Sequence, residues 1–166
     1  MLKPVKLKSF RAVASQFAIV ASQYNARYVD AMLRAAKAEL KRAGAKKIQI
    51  IRVPGAYEIP VVAARLARAS SLQRSPGGNH PPALGAIICL GVILRGETSH
   101  AAHIGEAVSR ALMQIQLEHE IPVIHEVLLL ENEEQARVRC LGKRHNRGAE
   151  AAQTALAIAH VMEAIH

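Results

Sequence analysis

The chain has 166 residues, 51% of them hydrophobic and 21% charged, with a formal net charge of +9 at pH 7. That balance excludes a disordered chain, and two cysteines, Cys89 and Cys140, form neither a disulfide framework nor a paired ligand motif. The apolar runs are too short to span a bilayer and the N-terminus lacks a signal-peptide core, so one cytoplasmic domain over residues 1–166 is expected, with no membrane partner.

After an N-terminal arm over residues 1–15, Phe17-Ala18-Ile19-Val20-Ala21 reads as a short buried strand. Residues 25–43 follow with Val29, Met32, Leu33, Ala36 and Leu40 at helical spacing, and Gly44 closes that helix. Residues 48–53 read as a second strand, Pro54-Gly55 as a turn, and residues 58–69 as a helix with Pro60 in its first turn. Ser-Pro-Gly-Gly-Asn-His-Pro-Pro within residues 70–82 marks a surface loop.

Ala86-Ile87-Ile88-Cys89-Leu90 is apolar throughout, as in a strand covered on both faces, and Ile104, Val108, Leu112 and Ile115 repeat along the helix after it. Residues 123–130 form the fourth expected strand; residues 131–141 and 148–165 form two helices separated by Gly142-Lys143-Arg144-His145-Asn146. Alternating strands and helices predict a four-stranded parallel sheet with right-handed crossovers, that is, a three-layer α/β/α sandwich. The alanine-rich last helix suits close packing against another helix.

In such a sheet every strand ends at one edge, and ligands bind in the crevice outside it. Residues 22–25, Pro54 to Glu58 and Arg95 to His100 would meet there, with the end of strand four. Tyr24 offers a ring to stack on a flat heterocycle, and Glu58 offers a carboxylate to hydroxyl groups; each taken singly also fits a structural role. The turn Arg95-Gly96-Glu97-Thr98-Ser99-His100 joins a strand to a helix N-terminus, a setting for anions, and ends in a histidine that reads either as a general acid or base or as a surface side chain. His100 and His103 are spaced H-x-x-H, yet no third ligand is evident, so no metal is expected, and His103 is read as uninvolved. No serine nucleophile motif, P-loop or dinucleotide fingerprint appears.

Basic residues cluster at Arg34, Lys37, Lys41, Arg42, Lys46 and Lys47, which reads as a solvated helix face, and at Arg137, Arg139, Lys143, Arg144 and Arg147. With 3% aromatic residues and no nucleic-acid module, attraction of small anionic substrates is expected rather than nucleic acid.

Ser-Gln-Tyr-Asn at 22–25, Val-Pro-Gly-Ala-Tyr-Glu-Ile-Pro at 53–60 and Leu-Gly-Val-Ile-Leu-Arg-Gly-Glu-Thr-Ser-His at 90–100 together resemble the 6,7-dimethyl-8-ribityllumazine synthase family. Ile-Pro-Val-Ile at 121–124, Glu-Gln-Ala at 134–136, Arg139 and Asn-Arg-Gly-Ala-Glu-Ala-Ala at 146–152 continue the match, which covers residues 16–163. The resemblance implies a flavodoxin-like fold and the penultimate step of riboflavin synthesis. In that step 5-amino-6-(D-ribitylamino)uracil condenses with 3,4-dihydroxy-2-butanone 4-phosphate without cofactor or metal.

By the same resemblance Tyr24 stacks on the pyrimidine, Ala56, Tyr57 and Glu58 hold the ribityl chain, and Val92, Ile93 and Leu94 offer backbone groups to the ring. Glu97 and Thr98 match the phosphate-side turn, Arg139 the arginine that grips phosphate from the adjacent subunit, and His100 the proton shuttle. Members assemble as pentamers or as hollow icosahedral sixty-subunit shells. Residues 142–148 show no insertion of the kind thought to block shell closure, so the resemblance implies a homo-pentamer and allows the shell.

Several positions depart from the family pattern. His125 stands where an aromatic residue usually lies over the substrate, Glu126 where glycine is usual, and Leu129-Leu130 where Thr-Thr is usual. Ala101-Ala102-His103 replaces the aromatic and acidic residues that often follow the histidine, and Glu97 sets a carboxylate beside the expected phosphate site. These departures motivate the alternative of a non-catalytic lumazine-binding, flavin-binding or shell-forming homologue.

Overall fold

The computed structural model describes residues 10–14, 16–72, 83–142 and 145–165. Strand β1 (Gln16–Ser22) leads into helix α1 (Ala26–Arg42), then β2 (Lys47–Val53), a 3-10 turn over Ala56–Glu58, α2 (Ile59–Leu72), β3 (Leu84–Leu94), α3 (His100–His119), β4 (Val123–Leu130), α4 (Glu133–Cys140) and α5 (Arg147–Ala164). The strands pair in the order β2-β1-β3-β4, all parallel, with Val20 beside both Ile51 and Cys89, and Cys89 beside His125. The expected three-layer sandwich is therefore present. Helices α1, α4 and α5 cover one face of the sheet around Met32, Leu40, Ile88 and Leu156; α2 and α3 cover the other around Ile59, Ile87, Leu112 and Ile121.

Each element has a local cause. Tyr28, Val29, Met32, Ala36 and Leu40 give α1 one buried stripe, Lys41 and Arg42 suit its C-terminal dipole, and Gly44 leaves it at φ 95°, a left-handed turn that favours glycine. Strand β3 is bonded on both sides and sandwiched on both faces, which is why it reads as an unbroken apolar run. Strand β2 is an edge strand and only half-buried, with Ile50 exposed. Asn132 and Asn146 cap α4 and α5, their side-chain oxygens accepting from Gln135 N (3.0 Å) and Gly148 N (2.9 Å).

Two expected boundaries need correcting. The loop expected from residue 70 begins later, because Ser70, Ser71 and Leu72 continue α2: the Ser71 hydroxyl has the Ala67 and His119 carbonyls as alternative acceptors at 3.1 and 3.0 Å, and Ser70 Oγ accepts from Leu84 N at 2.8 Å. Helix α4 starts at Glu133 rather than 131, because Asn132 is extended and Glu131 N donates to the Gln135 side chain. Most of the expected arm, residues 1–9 and 15, and loop residues 73–82 lie outside the described residues, as do Lys143 and Arg144.

Candidate active site

Because β2 lies to one side of β1 while β3 lies to the other, the strand order reverses at the carboxyl ends of β1 and β3. A cleft of about 750 Å³ opens there. The β1–α1 turn contributes Tyr24 and Asn25; the 3-10 turn, Gly55, Ala56, Tyr57 and Glu58; β3, Val92, Ile93 and Leu94; α3, His100, His103, Ile104 and Ala107. Four stretches far apart in the chain thus converge on one volume. Tyr24 and Tyr57 keep 74% and 63% of their surface in solvent, so two large rings stand at the cleft without a core role.

Hydrogen bonds between the turns fix this shape. Asn25 adopts the left-handed conformation (φ 55°) and its side-chain amide donates to the Val92 carbonyl at 2.8 Å, tying the β1–α1 turn to β3. Glu58 Oε2 accepts from Gly55 N at 2.8 Å, which closes the 3-10 turn and leaves the second carboxylate oxygen for other donors. Arg52 pairs with Asp30 and donates to the Ser22 carbonyl at 2.9 Å, anchoring the end of β2 beside β1. The Ser22 hydroxyl, buried at the end of β1, has no hydrogen-bond partner among the described residues.

His100 is the first residue of α3, whose opening turn closes on the Ser99 carbonyl through Ala102 N (3.0 Å) and His103 N (3.2 Å). Ser99 makes no side-chain cap, so the N–H groups at this end face the turn without an internal acceptor. Among the described residues neither His100 nor His103 has a side-chain hydrogen-bond or ion-pair partner, and no group of three metal-ligating side chains occurs. His103 was read from the sequence as uninvolved, yet it lines the cleft. Its i+3 spacing from His100, which puts both rings on one side of the helix, was the available signal.

The other sequence candidates lie elsewhere in this chain. Glu97 and Thr98 are exposed in the β3–α3 turn and do not line the cleft. Arg95, in the same turn, pairs with Glu131 at 3.0 Å. His125 is exposed on β4, its Nε2 2.8 Å from Ser109 Oγ on α3. Arg139 is exposed on α4 and also lies apart from the cleft of its own chain. Glu126, next to His125, points into the opposite layer and is 96% buried; burial raises its pKa while Arg147, 2.7 Å away, opposes the rise.

A doubly wound parallel sheet in the order 2-1-3-4, with a histidine-bearing crevice at its switch point, defines an α/β small-molecule enzyme of flavodoxin-like topology. The family within that class is set by similarity to known proteins. The model of the 6,7-dimethyl-8-ribityllumazine synthase family matches residues 14–163, and the chain belongs to that family. Proteins named 6,7-dimethyl-8-ribityllumazine synthase from Xanthomonas euvesicatoria pv. vesicatoria (strain 85-10) and Xanthomonas axonopodis pv. citri (strain 306) are each 39% identical to it over 155 residues, 92% of this chain and 93% of theirs. One from Stenotrophomonas maltophilia (strain R551-3) is 39% identical over 152 residues, 90% of each chain.

Proposed function

We propose that the chain condenses 5-amino-6-(D-ribitylamino)uracil with 3,4-dihydroxy-2-butanone 4-phosphate to give 6,7-dimethyl-8-ribityllumazine, phosphate and two molecules of water, as its family name implies. The observation that carries this reading is the convergence of Tyr24, Glu58 and His100, from three separate turns, on one cleft. Tyr24 supplies a stacking ring, the free oxygen of Glu58 accepts from ribityl hydroxyls, and Ala56, Tyr57, Val92, Ile93 and Leu94 line the rest. Val92 O already accepts from Asn25, so the ring's backbone partners are chiefly Ile93 and Leu94.

The chemistry needs proton traffic and an outlet for negative charge. The uracil amine attacks the ketone and water is lost to form an imine; a carbon-bound proton then leaves, phosphate is expelled, and the ribitylamino nitrogen adds to the remaining carbonyl, whose oxygen departs as a second water when the ring closes. His100 is the acid and base for these transfers, a contribution of about a hundredfold to ten-thousandfold in rate. Phosphate is received by the Thr98 and Ser99 amides at the open end of α3 and by Arg139 of a neighbouring subunit. Holding both substrates together supplies much of the remainder.

Arg139 serves this purpose only in an assembly, which supports a homo-pentamer or a shell built from pentamers. His125, also outside the cleft of its own chain, is assigned to the same shared boundary. Two cysteines left unpaired suit a cytoplasmic setting.

Mixing the purified protein with both substrates and following lumazine absorbance tests the reading: product is expected, and its absence at saturating substrate overturns it. His100→Ala should cut kcat by about a hundredfold or more. Arg139→Ala should raise KM for the phosphorylated substrate by about tenfold or more, the range for a charge-assisted bidentate contact.

A further inference from the structure

The junction between α4 and α5 is held together by a charge network that the reaction itself does not require. Glu126, inserted from β4 into the layer of α1, α4 and α5, accepts from Arg147 Nε at 2.7 Å and from its Nη2 at 3.4 Å. The same guanidinium donates through Nη1 to Glu150 Oε2 at 2.7 Å, one turn along α5. Arg147 is the first residue of α5, and the residue before it, Asn146, caps α5 while its amide donates to the Cys140 carbonyl that ends α4. Strand β4, the end of α4 and the start of α5 therefore form one hydrogen-bonded unit.

This unit also sorts the basic cluster. Arg137 is spent on Glu134 and Arg147 on Glu126 and Glu150. Arg139, one residue before Cys140, forms no ion pair or hydrogen bond among the described residues, yet it stands near enough to stabilise the Glu126 carboxylate. It is the arginine of α4 left for an external anion. A carboxylate that is 96% buried is costly unless paired, so Glu126 depends on Arg147, whose removal would strand it, while Arg147 is held between Glu126 and Glu150.

We propose that Glu126 is a positioning residue: by clamping Arg147 beneath β4 it fixes the α4–α5 junction and so sets the place from which Arg139 reaches the phosphate of the substrate in a neighbouring cleft. This rests on the assignment of Arg139 to phosphate made above. Glu126 touches no substrate. It acts through Arg147, Asn146 and the end of α4.

The test compares Glu126→Gln, Glu126→Asp and Arg139→Ala in the assembled enzyme, with kcat and both KM values measured and the assembly mass checked for each. Glu126→Gln keeps the shape but loses the charge. It should raise KM for the butanone phosphate by roughly tenfold, with kcat and KM for the uracil substrate within about twofold, and Glu126→Asp should recover most of the loss. Should Glu126→Gln fail to assemble, Arg147→Lys, which cannot span Glu126 and Glu150 together, is expected to give the same selective rise. An unchanged or lowered KM in Glu126→Gln (or in Arg147→Lys), while Arg139→Ala raises it, overturns the positioning role and leaves the phosphate assignment intact. If Arg139→Ala itself leaves that KM unchanged, the phosphate assignment fails and the positioning role falls with it.

Discussion

Replacing Gly148 by alanine tests how tightly α5 is set against α1. A Cβ at this position would lie 2.0 Å from the Met32 carbonyl oxygen and 2.5 Å from both Met32 C and Cα. Carbon atoms rest at about 3.5–4.0 Å, so the helices must part by more than about 1 Å, and the obstacle is backbone rather than a side chain that can swing away. Parting them would loosen Ala151, Ala152, Ala155 and Leu156 from Val29, Met32 and Ala36, all buried in one cluster. Overpacking costs about 1–3 kcal/mol where neighbours can yield, and the gain from glycine to alanine in a helix is at most about 1 kcal/mol. A net loss of about 3 kcal/mol or more is expected, which for a chain of this size lowers Tm by about 6–12 °C. Gly105→Ala supplies the control. Its Cβ, in the interior of α3, would meet Leu129 Cδ2 of β4 at 3.5 Å, an ordinary contact, so helix propensity should win and raise Tm by about 1–4 °C. Calorimetry at one fixed protein concentration reads both. A Gly148→Ala protein melting within about 2 °C of the parent would refute the close approach of the two helices.

Three further outcomes are expected. Gly55→Ala would set a Cβ 2.9 Å from Glu58 Oε2 and 3.4 Å from the Tyr24 ring, so KM for the ribityl substrate should rise about tenfold while Tm moves by less than about 2 °C; steady-state kinetics beside a melt checks both. Glu39 is half-buried, and its bond to Arg42, with help from Gln153, holds its carboxyl below the usual range, so its stabilisation is complete above the unfolded pKa and disappears as pH falls through the depressed folded one. Glu39→Gln should therefore lose up to about 1 kcal/mol at neutral pH and nothing at the acid end, as denaturant midpoints across pH will read. Burial raises the thiol pKa of Cys89 and pushes that of Cys140 up to about 11, so a disulfide reagent at pH 8 should label neither in the native protein and both after unfolding.

What the sequence revealed of the fold followed from burial. Strands β1 and β3 are apolar because sheet and helices enclose them, and α1 shows a clear stripe because one side meets solvent. The apolar segment from Ala86 to Leu90 marked the centre of β3, which runs from Leu84 to Leu94 and keeps Gly85 and Gly91 in close contact with side chains of the core. The half-exposure of β2 was not legible, because which strand takes the edge depends on pairing order. In the candidate site, the residues at strand ends were legible, since a parallel sheet brings all such ends to one rim. His103 was missed because its i+3 spacing from His100 was weighed only as a metal-ligand pattern, although the same spacing sets both rings on one side of α3. The partnership of Glu126 with Arg147 joins residues 21 apart through tertiary packing alone, and no local spacing announces it.

The three bonds that tie or close the rim segments, Asn25 to Val92, Glu58 to Gly55 and Arg52 to Ser22, are complete before any guest arrives. The freedom of those backbone segments is therefore surrendered during folding rather than at the moment of association. Substrate affinity consequently carries little charge for ordering loops, and what remains to be frozen is mainly the guest's own flexible polyol tail.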